Sequence, residues 1–263
     1  MSGNSQSALA CRDLTVTVPG RTLVENLEMA LVSGEFLAVL GQNGAGKSLT
    51  LHTFAGLRAA DHGEVLLLGA SLASTRRQDI AKNLALLPQY TEDVFPATVL
   101  DTVLIGRHPH IGRLQWESEE DRRIAQQALH QMDLGDILHR DVGTLSGGER
   151  RRLAIAQTLT QTPAVYLLDE PTNHLDPQHQ LDVLRVFRRQ AKSGATIIAS
   201  LHDVNLAARY ADKCLLLFGD GRWELGPTDS VLSEERLTDL YATPMEAVSW
   251  RDTRLFVAAG NSH

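Results

Sequence analysis

The sequence predicts an α/β fold, with an antiparallel β subdomain at its N-terminal end and a helical subdomain inserted into the core. Three observations predict it. A short apolar run, Phe36, Leu37, Ala38, Val39 and Leu40, leads into Gly41-Gln42-Asn43-Gly44-Ala45-Gly46-Lys47-Ser48 and then into a helical pattern, the strand–loop–helix order of an α/β unit. A second apolar run, Val165, Tyr166, Leu167 and Leu168, ends in the carboxylate pair Asp169-Glu170. Between the two, residues 91–142 lose the alternation of strand and helix signals and read as helices.

The chain opens with Leu14, Val16 and Val18 alternating against Thr15 and Thr17, then turns at Pro19-Gly20 into a second extended run over 21–31. This is a β-rich entry. Residues 36–40 carry no polar face, as expected of a strand buried on both sides. The segment that follows fits the phosphate-binding pattern G-x-x-x-x-G-K-[ST] with no mismatch. Its glycines let successive backbone N–H groups turn inward as a nest for phosphate oxygens, and the following helix N-terminus adds partial positive charge. Lys47 is suited to reach the β- and γ-phosphates, and Ser48 to give its hydroxyl to Mg²⁺. Leu51, Phe54, Ala55 and Leu57 place a short helix over 48–57; a chance Lys-Ser in a glycine-rich turn would lack both flanking elements. Asp61-His62-Gly63 then turns the chain into a strand over 64–68, a short helix follows over 79–83, and a strand over 84–87 ends at Pro88-Gln89.

In the helical segment, Ser118 precedes Glu119, Glu120 and Asp121, a favourable first turn, and Ile124, Ala128 and Met132 follow at spacing four. His108-Pro109-His110 lacks the further ligands and the spacing of a metal site, and reads as a surface loop. Leu145-Ser146-Gly147-Gly148-Glu149 opens a helix over 150–161. Ser-Gly-Gly is a common loop element, but two glycines at a helix start, between two nucleotide motifs, make a second candidate anion site. Asp169 and Glu170 end their strand where ligands of open α/β sheets bind. There Asp169 is suited to the Mg²⁺ shell and Glu170 to polarise a water; a pair of solvated charges is the alternative. Residues 171–176 form a turn, Pro177 suits the first position of a helix running to about Ser193, and a strand over 195–200 ends at Leu201-His202-Asp203. His202, again at a strand end, joins the candidate site. Residues 213–218 and 222–225 flank Asp220-Gly221 as a hairpin, 229–241 reads as helical, and 246–259 holds two short extended runs with no catalytic pattern.

The chain has 263 residues, 43% hydrophobic and 22% charged, ordinary for a globular protein with a real core. A net charge of −7 argues against a nucleic-acid partner that needs a broad basic surface. Cys11 and Cys214 are its two cysteines; so far apart, they predict reduced thiols. Residues 1–8 lack the basic and apolar regions of a secretory signal, and no window nears the roughly 18 apolar residues of a bilayer span. Any membrane connection is therefore expected through a partner.

Taken together, these motifs resemble the ATP-binding subunit of an ABC transporter, whose core is a P-loop NTPase of RecA-like fold. Gly41 to Ser48 stand as Walker A, Gln89 as the Q-loop glutamine and Leu145 to Glu149 as the signature. Val165 to Asp169 stand as Walker B with Glu170 as catalytic glutamate, Asn173 to Asp176 as the D-loop, and His202 as the switch histidine. The motifs occur in family order across about residues 8–245, which implies an ATPase domain over that range, a helical subdomain over about 91–160, and a short extension over 246–263. The resemblance implies ATP and Mg²⁺ as ligands. Gly41, Gln42, Asn43, Gly44, Ala45, Gly46, Lys47, Ser48, Leu49, Ser146, Gly147, Gly148 and Asp176 would contact nucleotide; Ser48, Gln89 and Asp169 would hold the metal; Glu170, His202 and Gln89 would serve hydrolysis.

It also implies a dimer, in which Ser146 and Gly148 of one copy close over the γ-phosphate held by Lys47 of the other. An integral-membrane permease dimer and, indirectly, a substrate-binding protein complete the implied assembly, at the cytoplasmic face of the inner membrane. Thr98-Val99 through Gly106-Arg107-His108-Pro109-His110 and His202-Asp203-Val204-Asn205-Leu206 resemble the branch importing metal chelates: ferric siderophores, haem and cobalamin. The alternatives are an exporter subunit, or a soluble ABC ATPase of DNA repair or translation. The long coiled coil of repair members is not present between Gln89 and the signature. Two positions depart from the family pattern. Val18 stands where an aromatic residue usually stacks on adenine, a contact worth ~1–3 kcal/mol at single-stranded nucleic-acid sites. Glu149 stands where glutamine is commoner, with little consequence expected.

Overall fold

Alternating apolar residues build the first strand pair. β1 (Leu9–Val18) and β2 (Arg21–Leu31) run antiparallel, with Val18 opposite Arg21 across the turn at Pro19-Gly20, and bury Leu14, Val16, Val24, Leu27 and Leu31 on one side. β3 (Phe36–Leu40) and α1 (Lys47–Phe54) come next, then β4 (His62–Leu67) and β5 (Ala70–Ser71). β4 pairs with the free edge of β1, closing a four-stranded antiparallel sheet in the order β2-β1-β4-β5. This is the computed structural model of the chain, and it describes residues 7–90, 96–112, 115–251 and 253–259. Most of the 1–8 stretch searched for a signal, and 91–95 at the start of the helical segment, lie outside the described residues.

The second sheet is the core. α2 (Arg77–Asn83) leads to β6 (Leu84–Leu87), and after the helical subdomain come β7 (Val165–Leu168), α6 (Pro177–Lys192), β8 (Thr196–Ser200), α7 (Val204–Tyr210), β9 (Lys213–Leu217) and β10 (Trp223–Pro227). The order is β10-β9-β3-β8-β7-β6. All neighbours are parallel except β10, which is antiparallel to β9 in the expected hairpin. Because side chains alternate across a strand, the sheet divides the core in two. Phe36, Ala38, Leu40, Tyr166, Leu168, Ile197 and Ala199 face the helices, while Leu37, Val39, Val165, Leu167, Ile198 and Leu215 face α1 and the antiparallel sheet. Parallel pairing also brings the carboxyl ends of β3, β6, β7 and β8 to one edge, so that Gly41, Gln89, Asp169 and His202 leave the sheet side by side.

The helical subdomain consists of α3 (Val99–Leu104), α4 (Glu119–Gln131) and α5 (Gly147–Thr160). Each starts with a reciprocal capping box, Thr98 with Asp101, Ser118 with Asp121 and Ser146 with Glu149, which satisfies N–H groups that a helix start leaves unpaired. Val99, Val103, Ala125, Leu129 and Ile155 join the helices through the core.

Local chemistry corrects three expectations. His108-Pro109-His110 is not a loop but the end of a 3₁₀ helix, Ile105–His110. The segment is held against α5 by the buried Arg107, which donates to the Thr160 carbonyl at 3.0 Å, and by His110 Nε2, 2.9 Å from the Gln161 carbonyl. Among the described residues no group of three or more His, Cys, Asp or Glu could hold a metal. Residues 229–241 are two helices, α8 (Thr228–Val231) and α9 (Glu234–Tyr241). Leu232 is extended at the break, and Ser233 Oγ caps the second helix by accepting from the Arg236 N–H at 3.3 Å. Lastly, α1 stops at Phe54 rather than Leu57 because Gly56 takes the left-handed φ of 65°.

The C-terminal hairpin, β11 (Met245–Trp250) with β12 (Thr253–Ala258), is fastened to α7. Asn205 donates to the Phe256 carbonyl at 3.0 Å and accepts from its N–H at 2.8 Å. Among the described residues no helix is long and apolar enough to cross a membrane.

Candidate active site

The glycine loop follows β3 directly. A Cβ at Gly41 would lie 2.5 Å from the Leu217 carbonyl oxygen, and Gly46, at φ 101°, caps α1 in a left-handed conformation against Leu23. Only glycine fits both positions. Lys47 Nζ folds back over the loop, donating to the Gly41 carbonyl at 2.8 Å and the Gln42 carbonyl at 3.1 Å. Burial draws its pKa down, opposed by the carboxylates of Glu170 and Asp169.

The acidic pair sits across the cleft at the end of β7. The Asp169 N–H donates to the Leu87 carbonyl at 2.9 Å, continuing the ladder with β6 one residue past the end of β7. Asp169, 1% exposed, accepts from the Ser200 hydroxyl at 2.7 Å, and Ser200 Oγ in turn accepts from the Glu170 N–H at 2.8 Å. Glu170 takes a left-handed φ of 49°, a conformation costing a side-chain-bearing residue about 1–3 kcal/mol. The result is that its carboxylate points back into the cleft: Oε1 lies 2.6 Å from His202 Nε2, and Oε2 accepts from Gln89 Nε2 at 2.6 Å and from Asn173 Nδ2. The three residues expected to serve hydrolysis are thus one hydrogen-bonded cluster.

Arg151 of α5 braces this cluster from behind. Its guanidinium donates to the carbonyls of Pro88 at 2.7 Å, Gln89 at 3.2 Å, Asp169 at 2.8 Å and Glu170 at 2.7 Å. Burial lowers its pKa while Asp169 and Glu170 raise it. No other side chain ties the helical subdomain to both strand ends in this way among the bonds described.

A cleft of about 390 Å³ runs between these parts. Asn43, Gly44, Gly46, Lys47, Ser48 and Leu49 line its floor, Gln89 and Glu170 line one wall, and Val18, Arg21 and Leu23 of the first hairpin line another. Ser146, Gly147, Gly148 and Asp176 do not line it. Ser146 caps α5, with its N–H donating to Glu149 at 2.8 Å. Asp176 caps α6, accepting from the His179 N–H at 3.0 Å and meeting His179 Nδ1 at 2.7 Å. These two helix starts adjoin, since a Cβ at Gly148 would lie 4.0 Å from the His174 carbonyl oxygen.

Sequence reasoning missed Ser200 and Arg151. Ser200 was within reach of the same strand-end rule that marked His202. Arg151 carried no such signal, because in Arg150-Arg151-Arg152 nothing distinguishes the buried guanidinium from its neighbours.

A family model described as ABC transporter matches residues 24–173. The chain belongs to the ABC transporter family. It is 44% identical over 218 residues to a hemin import ATP-binding protein of Deinococcus radiodurans, covering 81% of this chain and 82% of that one. It is 38% identical over 229 residues to the achromobactin transport ATP-binding protein of Dickeya dadantii, covering 87% and 85%. Among solved structures, a metal-chelate type ABC transporter in an inward-facing conformation superposes with TM-score 0.84 at 29% identity, over 97% of this chain and 99% of that one. The fold is therefore that of ABC ATPases: a P-loop core carrying an antiparallel β subdomain and a helical subdomain.

Proposed function

We propose that this ABC ATPase hydrolyses ATP to energise import of a metal chelate, of the ferric siderophore, haem or cobalamin type, through a partner permease. The observation that carries it is the hydrogen-bonded cluster of Gln89, Glu170 and His202, of which Gln89 and Glu170 line one cleft with Lys47, in a chain similar to hemin and achromobactin transport ATPases. The domain runs over 8–245, with 246–263 as a short extension.

The triphosphate is held by the loop from Gly41 to Leu49, whose N–H groups and Lys47 neutralise its charge. For the metal, Ser48, Gln89 and Asp169 offer hydroxyl, amide and carboxylate oxygens. A sparse, all-oxygen set with one carboxylate suits Mg²⁺, which keeps waters and substrate phosphates as its other ligands. When bound, Mg²⁺ supplies charge neutralisation at the phosphates. Glu170 is the general base for water, Gln89 and Asn173 orient its carboxylate, and His202 accompanies the γ-phosphate. Ser146, Gly147, Gly148 and Asp176, which lie off the cleft, act on nucleotide held by a second copy. The protein therefore works as a dimer on a permease dimer, peripheral to the cytoplasmic face of the membrane, with a substrate-binding protein upstream and no nucleic-acid partner.

The test is affinity purification of the tagged chain from native membranes in mild detergent, with the absorption spectrum of what accompanies it. A polytopic permease in about equal amount is expected. Recovery only from the soluble fraction with ribosomes or DNA would overturn import.

A further inference from the structure

We propose that Arg21 is the platform on which the adenine base rests, replacing an aromatic ring with a guanidinium plane; this rests on the cleft being the ATP site. Among the described residues no aromatic side chain lines the cleft. Phosphates bind the glycine nest, and the γ end must face Glu170 and Gln89. The base is then left with the remaining wall, which the first hairpin supplies as Val18, Arg21 and Leu23.

Val18 and Leu23 offer apolar edges, and Arg21 offers a flat cation. Its position is fixed by the fold. Arg21 stands opposite Val18 in the hairpin, and its Nε donates to the Gly219 carbonyl at 2.6 Å. Gly219 follows β9 at φ 78°, where a Cβ would come 2.8 Å from Arg21 Nη2 and 2.9 Å from Ala45 Cα. The absence of a side chain there lets the guanidinium lie beside the phosphate loop. A hydrogen bond through Nε lies in the guanidinium plane, so it holds the group's orientation while leaving its two faces free. Arginine stacks on aromatic planes in just this manner, and nucleobases are stacked on guanidinium planes in RNA recognition.

A role at the base makes a prediction that a phosphate ligand or a mere structural tether does not share. Binding of ADP and of pyrophosphate to the full chain, measured by calorimetry, separates the base from the phosphates. Arg21→Ala should weaken ADP about tenfold and leave pyrophosphate unchanged, with the thermal midpoint preserved. Arg21→Trp, which loses the charge and the Gly219 bond but restores a flat face, should recover most of the ADP affinity. Equal weakening of both ligands by Arg21→Ala, an unchanged ADP affinity, or no recovery in Arg21→Trp would overturn the proposal. Lys47→Ala reports on the site: if it leaves ADP and pyrophosphate binding intact, the cleft is not the nucleotide site, a failure distinct from that of Arg21.

Discussion

Glu170 gathers more of the site's geometry than any neighbour, accepting from Gln89 and Asn173 and meeting His202 while its backbone is held left-handed by the Ser200 contact. Glu170→Gln keeps the side chain's size and removes its basicity. Steady-state ATP turnover should fall by about 10²–10⁴, the contribution of a positioned general base, while an ATP-bound dimer persists on size exclusion; full turnover would remove Glu170 from that role. Arg151 tests a different property. Its removal leaves four carbonyls short of a donor in a buried place, so Arg151→Met should destabilise the fold by about 2–4 kcal/mol in denaturant titration. Arg151→Lys should not rescue it, because an ammonium cannot span the carbonyls of two strand ends as a planar fork does.

At the scale of elements, the capped helix starts of the helical subdomain carry measurable stability. Asp121 closes the box with Ser118 at the start of α4 and pairs with Arg107 at 2.8 Å. The Ser118 hydrogen bond, with Arg107 beside it and burial opposing, lowers its carboxyl to about 2. A pKa depressed by folding contributes stability that is complete above the unfolded value, near 4, and is lost as pH falls toward 2. Asp121→Asn should therefore cost roughly 2 kcal/mol at neutral pH and flatten the stability profile between about pH 4 and 2. Equal slopes for the two proteins in acid would refute the assignment. The same capping geometry engages Glu149 at the start of α5. Its carboxylate accepts from the Ser146 N–H and meets Arg140 at 3.0 Å, away from the cleft.

For the whole molecule, the two faces of the central sheet are sealed. Cys11 lies in the core on one side and Cys214 on the other, and burial raises their thiols to about 12 and about 11. Neither forms a reactive thiolate at neutral pH. A thiol reagent should label the native protein at neither site and label both once denaturant unfolds it, so that labelling follows global unfolding. Rapid native labelling of either would mean that its face of the sheet opens locally.

Much of this architecture is written in local chemistry. Phe36–Leu40 can only be a strand buried on both faces, Gly41 to Ser48 can only be a nest followed by a helix, and Pro177 behind Asp176 can only begin one. Such features depend on residues adjacent in the chain, so periodicity and capping rules find them. Where neighbours in space decide, the chain order was silent. The docking of Ile105–His110 on α5 was decided by the burial of Arg107, whereas the start of α9 inside the single helix expected over 229–241 rests on the local Ser233 cap, which a capping rule could have found. The choice of Arg151 over Arg150 and Arg152 as the brace came from the pairing of β6 with β7, and the placement of Arg21 beside the phosphate loop from its contact with the turn after β9, in each case between segments far apart in sequence. Backbone preferences act within a few residues and so are legible in order. Burial and pairing of polar groups act between distant segments, and exist only once the sheet has brought those segments together.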